Sequence, residues 1–262
     1  MSDVILEARG ILRRFGGVVA VDGADLSVLK GEIAGLIGPN GSGKSTMVNL
    51  VTGELAPHVG SFTFDGQDIT RLGPGERTRR GMARSFQMLR LFRSLSVEDN
   101  LVLASHFRMQ TGTLANVLRS RAAMVEERAL RVRARELLGW FDLADFAARP
   151  VSAMSIGQQR MVELARGILS QPRLFVLDEP AAGLSPVNVD RLIAIIRRMR
   201  DDFGMSILLV EHDMRVVREL CDRVTVLDAG RVIAAGAPEA VVNDPAVVEA
   251  YIGSGWKRRA KA

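Results

Sequence analysis

The fold of this chain is decided by Gly38-Pro39-Asn40-Gly41-Ser42-Gly43-Lys44-Ser45-Thr46. The stretch follows an apolar run, 33–37, that is typical of a buried strand, and it precedes an apolar run, 47–51, that is typical of a helix. Its spacing matches G-x-x-x-x-G-K-[ST] in the strand–loop–helix context that this motif needs. We therefore predict a phosphate-binding loop rather than a glycine-rich turn that happens to contain a lysine.

The residue types of this loop suit a nucleotide and Mg²⁺. Glycines let the backbone turn tightly enough for successive N–H groups to point at phosphate oxygens. The following helix adds its positive N-terminal end. Lys44 can reach the outer phosphates as a point charge, and the Ser45 hydroxyl can ligate Mg²⁺.

The composition is that of an ordinary soluble globular protein. The 262 residues suffice for one large domain or two small ones, and 47% of them are hydrophobic. No apolar run approaches the roughly 20 residues of a membrane span, and the first residues do not resemble a secretory signal. Cys221 is the only cysteine, which excludes an intramolecular disulfide and suits a buried apolar role. The net charge of +5 suits an anionic ligand, a membrane surface or nucleic acid, and it does not choose among them.

Three kinds of segment follow one another along the chain. Extended patterns at 4–11, 18–21 and 61–64 surround the loop and predict an antiparallel β layer. An arginine-rich helical pattern from about Asn100 to Gly139 then predicts a helical insertion from Gln87 to about Pro150, with either a solvated face or a surface that contacts a partner or lipid headgroups. After Ser155, apolar strands alternate with helices, which predicts a parallel sheet covered on both faces. The helices are expected at 160–170, after Ser185-Pro186 and at 214–220, and the strands at 174–177, 206–210 and 224–227.

Polar residues follow two of these apolar strands. Asp178 and Glu179 come directly after one strand, and His212 follows the next. Because parallel strands deliver their carboxyl ends to the phosphate-loop edge, Asp178 is expected near Mg²⁺ and Glu179 near an attacking water. The His212 ring would contact the γ-phosphate or hold Glu179. The alternatives are a solvated pair of acids and a histidine with a capping role.

A second element with anion-binding character precedes the helix at 160–170. Ser155 supplies a hydroxyl and Gly157 an unobstructed N–H at the positive end of that helix. A chain that already has one phosphate loop would use this element on a nucleotide shared with another chain. An ordinary N-cap is the alternative.

Along the chain, the phosphate loop is followed by Phe86-Gln87, the Ser155–Gln158 element, Asp178-Glu179 and His212. This order of motifs resembles the ATP-binding cassette (ABC) ATPases, and the resemblance extends from about Val4 to Gly253. This resemblance implies an α/β fold: a phosphate-loop NTPase core with a mainly parallel sheet, an N-terminal antiparallel β layer and an inserted helical subdomain. The core and β layer would occupy 1–87 and 161–253 and the helical subdomain about 88–160, with a basic tail at 254–262.

The same resemblance implies a role for each matching residue. Two cassettes would stack head to tail around two ATP molecules, with Phe15 and Val21 against adenine. Gln87 would sense Mg²⁺ and the membrane subunits, and Ser155, Gly157 and Gln158 would close on the ATP of the partner. Asp178 would be the metal-side acid, Glu179 the general base and His212 the switch histidine. The signature departs from its commonest form at Met154 and Ile156, and Ser185 replaces an aspartate in the loop that crosses the dimer.

Three further stretches narrow the resemblance to the longer, LivG-type cassette of branched-chain amino acid importers: 84–92, 180–184 and 249–253. The implied partners are a second cassette, two transmembrane permeases and, indirectly, an external solute-binding protein, with no nucleic acid. The implied location is peripheral, on the cytoplasmic face of a bacterial inner membrane. Alternatives are a cassette for urea or amide import, a lipopolysaccharide-export cassette, a soluble ABC ATPase without transport, and a regulatory nucleotide switch.

Overall fold

The computed structural model describes residues 3–85, 91–105 and 121–251. Its strands are β1 Val4–Phe15, β2 Val18–Leu29, β3 Ile33–Ile37, β4 Val59–Phe64, β5 Gln67–Asp68, β6 Met82–Arg84, β7 Leu174–Asp178, β8 Ser206–Val210, β9 Arg223–Asp228 and β10 Arg231–Gly236. Its α-helices are α1 Lys44–Val51, α2 Pro74–Arg79, α3 Val97–Ser105, α4 Arg121–Trp140, α5 Ile156–Leu169, α6 Pro186–Phe203, α7 Met214–Leu220 and α8 Pro238–Val242. None of these helices combines the length and apolar character needed to cross a bilayer.

The central sheet has six strands in the order β10-β9-β3-β8-β7-β6. All neighbours are parallel except β10, which runs antiparallel to β9 at one edge. Every residue of β3, β7 and β8 is buried, as expected for parallel strands covered on both faces. The carboxyl ends of these three strands therefore meet at one edge of the sheet, where the phosphate loop, the two acids and His212 follow them.

Alternation of side chains along β7 divides the hydrophobic core into two parts. Leu174 and Val176 face a cluster that packs α1 between the two sheets. Phe175 and Leu177 face the opposite way, into a cluster built with helices α3 to α7. Since successive side chains on a strand point to opposite faces, a fully apolar strand is what these two clusters require. The predicted α/β class with its mainly parallel sheet is confirmed.

The predicted β layer is also present, as a second, antiparallel sheet in the order β2-β1-β4-β5. The extended pattern predicted at 4–11 ends too early, because β1 continues to Phe15, which pairs with Val18. The turn consists of Gly16 and Gly17 alone. Gly16 has φ +54°, which glycine adopts without steric cost in a short hairpin turn.

Helices α3 and α4 form the described part of the predicted helical insertion. Arg131 contacts Asp99 at 2.9 Å and Glu98 at 3.2 Å, and Arg135 contacts Glu98 at 2.8 Å. Part of the arginine-rich face therefore joins two helices instead of only facing solvent. The helical pattern predicted across 106–120 and the basic tail at 254–262 lie outside the described residues.

Helix α6 begins as predicted, with Ser185 at the N-cap and Pro186 in the first turn. The Ser185 side chain makes no capping hydrogen bond to the helix. Leu192, Ile195 and Met199 are buried at helical spacing along one face of α6, whereas Phe203 is 42% exposed at the last turn.

Candidate active site

The phosphate loop connects β3 to α1 and is held together by its own lysine. Lys44 Nζ donates to the carbonyl oxygens of Gly38 at 2.8 Å and Pro39 at 3.0 Å. Burial lowers the pKa of Lys44, and the nearby carboxylates of Glu179 and Asp178 partly offset this effect. The ammonium group thus lies close to both acids that follow β7.

Glycine is required at two loop positions because the surrounding backbone is close. A Cβ atom on Gly43 would lie 2.4 Å from the carbonyl oxygen of Ala20, and one on Gly38 would lie 2.0 Å from that of Leu227. The loop is therefore seated tightly between β2 and β9.

The Ser42 hydroxyl inside this loop is buried and has no hydrogen-bond partner among the described residues. Buried polar atoms usually have partners, so an orphan hydroxyl fits a loop built around an oxygen-rich ligand. Asn40, Gly41 and Ser45 are exposed, and Thr46 is half-buried. The predicted phosphate-binding residues thus combine a fixed backbone with an accessible surface.

The two predicted acids sit at the carboxyl end of β7 in different settings. Asp178 is buried, and its Oδ2 accepts from Arg84 Nη2 at 2.9 Å. Glu179 has φ +47°, a left-handed conformation that is uncommon for a residue with a side chain. Its N–H donates to the carbonyl of Val210 at 2.9 Å, which holds this conformation against β8. Strain of this kind costs on the order of 1–3 kcal/mol and clusters at functional sites.

The structure brings His212 and Glu179 together. His212 Nδ1 lies 4.0 Å from Glu179 Oε2, close enough for an electrostatic interaction but beyond hydrogen-bond distance. The His212 side chain is about half-exposed at 56%, whereas that of Glu179 is 20% exposed. This is the geometry that the prediction of a histidine beside Glu179 requires.

Glu211, the residue before His212, holds the backbone next to this pair, and no role for it is predicted from the sequence. Its buried carboxylate accepts from the N–H groups of Ala181 at 2.9 Å and His212 at 3.2 Å. Burial raises the pKa of Glu211, and these backbone hydrogen bonds partly counteract the rise. Glu211 thereby ties the loop after Glu179 to the loop that carries His212. The sequence signal that could have indicated a role for Glu211 is its position as a charged residue directly after a fully apolar strand.

The Ser155–Gln158 element forms the beginning of α5. Ser155 Oγ accepts from the Gln158 N–H at 3.3 Å, and the Gln158 side chain accepts from the Ser155 N–H at 3.0 Å. This reciprocal pair is a capping box, so the N-cap interpretation describes the local geometry. Ile156 is 63% exposed, and a Cβ on Gly157 would lie 3.1 Å from the Asn188 side chain. An anion-binding role for this surface stays a prediction.

The two residues predicted to contact adenine differ in accessibility. Phe15 is 44% exposed, with the Arg13 guanidinium 4.9 Å from its ring centroid, so the ring can accept a stacked base. Val21 is fully buried in the core between the sheets, and its side chain offers no surface to a base. The expectation for Val21 therefore does not fit this structure. Phe86 and Gln87 lie outside the described residues.

The available oxygen ligands fit Mg²⁺ that arrives with a nucleotide. The Ser45 hydroxyl and the Asp178 carboxylate are hard oxygen donors, the type that Mg²⁺ prefers. Within the described ranges, no group of three or more His, Cys, Asp or Glu side chains could hold a metal ion by itself. Such a site needs phosphate oxygens and water to complete the coordination, which is how Mg²⁺ is usually bound in nucleotide sites.

Two of the open cavities border the helical insertion, away from the phosphate loop. One of about 710 Å³ lies between α4 and the amino ends of β7 and β8, with Trp140 and Phe203 in its wall, and contains none of the predicted site residues. The other, of about 360 Å³, lies beside β6 and is lined by residues of α3 and α5, together with Arg84 and Phe92. We call this second cavity the β6 cleft.

Comparison with known families identifies two matching regions. The ABC transporter family matches residues 21–182, and the branched-chain amino acid ATP-binding cassette transporter family matches residues 231–257. Among solved structures, the ADP conformation of MJ1267, an ATP-binding cassette of an ABC transporter, superimposes with a TM-score of 0.84 at 31% identity. That alignment covers 95% of this chain and 99% of MJ1267.

Curated relatives match over almost the whole chain. The high-affinity branched-chain amino acid transport ATP-binding protein BraF of Pseudomonas aeruginosa is 39% identical, and LivG of Escherichia coli, which has the same description, is 38% identical. The lipopolysaccharide export system ATP-binding protein LptB of Haemophilus influenzae is 33% identical. Each alignment covers 97% of this chain and 99% of the relative. With its phosphate loop, strand-end acids and two-sheet architecture, this chain belongs to the ABC transporter family, as one of its ATP-binding cassettes.

Proposed function

We propose that this chain is the ATP-hydrolysing cassette of an importer for branched-chain amino acids. The observation that carries the proposal is the convergence of Lys44, Asp178, Glu179 and His212 at one edge of the central sheet. The similarity to BraF and LivG across 97% of the chain supports the substrate class.

In the proposed reaction, the loop amides and Lys44 hold the β- and γ-phosphates of ATP. Ser45 and Asp178 would hold Mg²⁺, which offsets the phosphate charge when bound. The Glu179 carboxylate orients a water molecule for in-line attack and accepts its proton. His212, 4.0 Å from Glu179, keeps that carboxylate and its water in position. Gln87 is assigned to sensing Mg²⁺ and the membrane subunits.

We propose that each nucleotide site is completed by a second cassette. Ser155, Gly157 and Gln158 lie at the beginning of α5, where the helix N-terminus favours an anion. In a head-to-tail dimer these residues would close on the ATP held by Lys44 of the partner chain. Hydrolysis would then depend on dimerisation, whereas a single chain would bind ATP and hydrolyse it slowly.

Two permease subunits complete the proposed transporter. The β6 cleft lies between the edge of the central sheet and α3, which suits a short cytoplasmic helix from a permease. Closing and reopening of the cassettes would drive the permeases, and an external solute-binding protein would deliver the amino acid. The cassette would be peripheral, on the cytoplasmic face of a bacterial inner membrane.

The test uses the cassette assembled with its permeases in lipid vesicles, with leucine uptake and ATP hydrolysis measured together. Glu179→Gln should still bind ATP but lose hydrolysis by about 10²–10⁴-fold, the usual contribution of a general base. Glu239→Gln, at an exposed position of α8, should behave like the wild-type protein. Retained turnover in Glu179→Gln would remove Glu179 as the base. ATP-dependent uptake of urea or amides without leucine would refute the substrate class.

A further inference from the structure

We propose that Arg84 is a positioning residue for the metal-side acid: it fixes the Asp178 carboxylate and fastens it to the helix that carries Ser45. This inference rests on the proposed Mg²⁺-dependent ATP hydrolysis. Arg84 touches neither nucleotide nor metal in the proposal, and it acts through Asp178.

The backbone brings Arg84 to the end of β7. Arg84 is the last residue of β6, where it pairs with Val176 in a parallel register. The next residue, Ser85, continues this pairing, because its N–H donates to the Val176 carbonyl at 2.9 Å. The Ser85 hydroxyl accepts from the Asp178 N–H at 3.2 Å. Two successive residues at the end of β6 therefore contact Asp178. Arg84 contacts the Asp178 side chain, and Ser85 contacts the Asp178 backbone.

The guanidinium group of Arg84 links the two elements that carry the proposed metal ligands, β7 and α1. Its Nη2 donates to Asp178 Oδ2 at 2.9 Å, and its Nη1 donates to Asn49 Oδ1 at 2.7 Å. Asn49 lies on α1, one turn after Ser45. A planar guanidinium presents its donors in a fixed fork, so the two contacts set the direction of the Asp178 carboxylate relative to α1.

The charges and burial indicate a role in the site as well as in folding. The side chains of Arg84 and Asp178 are 13% and 11% exposed. An ion pair this buried stabilises a fold little more than a well-packed apolar pair of similar volume, because both charges lose hydration. Arg84 instead contributes the orientation of the Asp178 carboxylate. It occupies Oδ2 and leaves Oδ1 of Asp178 without a hydrogen-bond partner in the described part of the chain. That oxygen is available to Mg²⁺ or to a water on the metal.

The test measures equilibrium binding of a fluorescent ATP analogue to the full chain, with Mg²⁺ and with EDTA. Partners that orient metal ligands contribute about 10–100-fold to metal affinity. For Arg84→Met we expect the Mg²⁺-supported affinity to fall at least about tenfold, with the affinity in EDTA unchanged. Arg84→Lys restores the charge without the fork and should lose less. Arg173→Met removes an exposed ion pair with Asp65 and should change neither affinity.

Three outcomes would overturn the inference: unchanged affinities in Arg84→Met, equal losses with and without Mg²⁺, or a full effect in Arg173→Met. If Arg84→Met does not fold, Asn49→Ala decides, because it keeps the ion pair and removes the 2.7 Å hydrogen bond from Arg84 to α1, leaving only the longer one to Thr52 Oγ1 at 3.3 Å. That variant should show a smaller loss confined to the Mg²⁺ condition, and a loss in both conditions would contradict the inference. Asp178→Asn distinguishes a failure of the proposed metal site from a failure of the positioning role of Arg84. If Asp178→Asn retains full Mg²⁺ dependence, the proposed metal site itself is wrong.

Discussion

Replacing Gly43 by alanine should disable the phosphate loop through a collision that the structure locates. The added Cβ would lie 2.4 Å from the Ala20 carbonyl oxygen, whereas ordinary contacts begin near 3.4 Å. The two atoms must therefore separate by about 1 Å. Ala20 belongs to β2, which is paired along its length with β1, so the loop is the part that moves. A displacement of about 1 Å of groups that position a substrate can cost about 10²-fold.

Gly41→Ala is the matched control for this experiment. Gly41 also has a positive φ, +82°, but nothing lies within 4 Å of the position of its Cβ. Backbone strain is present with and without nucleotide, so it should lower stability by about 1–2 kcal/mol and affect binding little. We expect kcat/KM for ATP to fall at least about 100-fold in Gly43→Ala and only a few-fold in Gly41→Ala. Equal losses in the two variants would refute the collision argument.

Two further predictions concern the fold around the site. Arg77 is fully buried and donates to the carbonyls of Leu50, Val51, Ile69, Thr70 and Leu72. Arg77→Met removes these five hydrogen bonds, although the Leu50 and Ile69 carbonyls keep backbone donors from Gly53 and Leu72. The free energy of unfolding should therefore fall by at least about 3 kcal/mol in urea titrations, with exposed Arg79→Met on the same helix nearly neutral. A loss below about 1 kcal/mol would contradict this. Burial raises the pKa of the Cys221 thiol to about 12, so little thiolate exists at neutral pH. Iodoacetamide should therefore label Cys221 slowly in the native protein and rapidly in urea, and fast native labelling would contradict the buried position.

Much of the fold and site could be predicted because the signals are local. Strands that are apolar at every position, such as 174–177 and 206–210, can only be covered on both faces, and the structure has them in the middle of the central sheet. The phosphate loop is a contiguous motif whose glycines and lysine need no distant partner to be identified. The convergence of Glu179 and His212 followed from the shared carboxyl edge of parallel strands.

The predictions that failed depended on packing between segments far apart in the chain. Val21 is close to Phe15 in sequence, but its side chain points into the core between the sheets. The end of β1 was misplaced because cross-strand pairing, rather than composition, extends it to Phe15. Arg84 belongs to the stretch 84–92 that carries the family resemblance, and nothing local shows that it contacts a carboxylate 94 residues later.

By itself, the sequence determined the class of this protein, the location of its phosphate loop and the identity of the acids and histidine that follow its strands. These depend on residue type, spacing and strand direction, which are properties of short segments. Only the tertiary structure decided which polar groups meet: Arg84 with Asp178 and Asn49, and Glu211 with the backbone N–H groups of Ala181 and His212. The physical reason is that burial and hydrogen-bond partners are set by long-range packing, which periodicity along the chain does not encode.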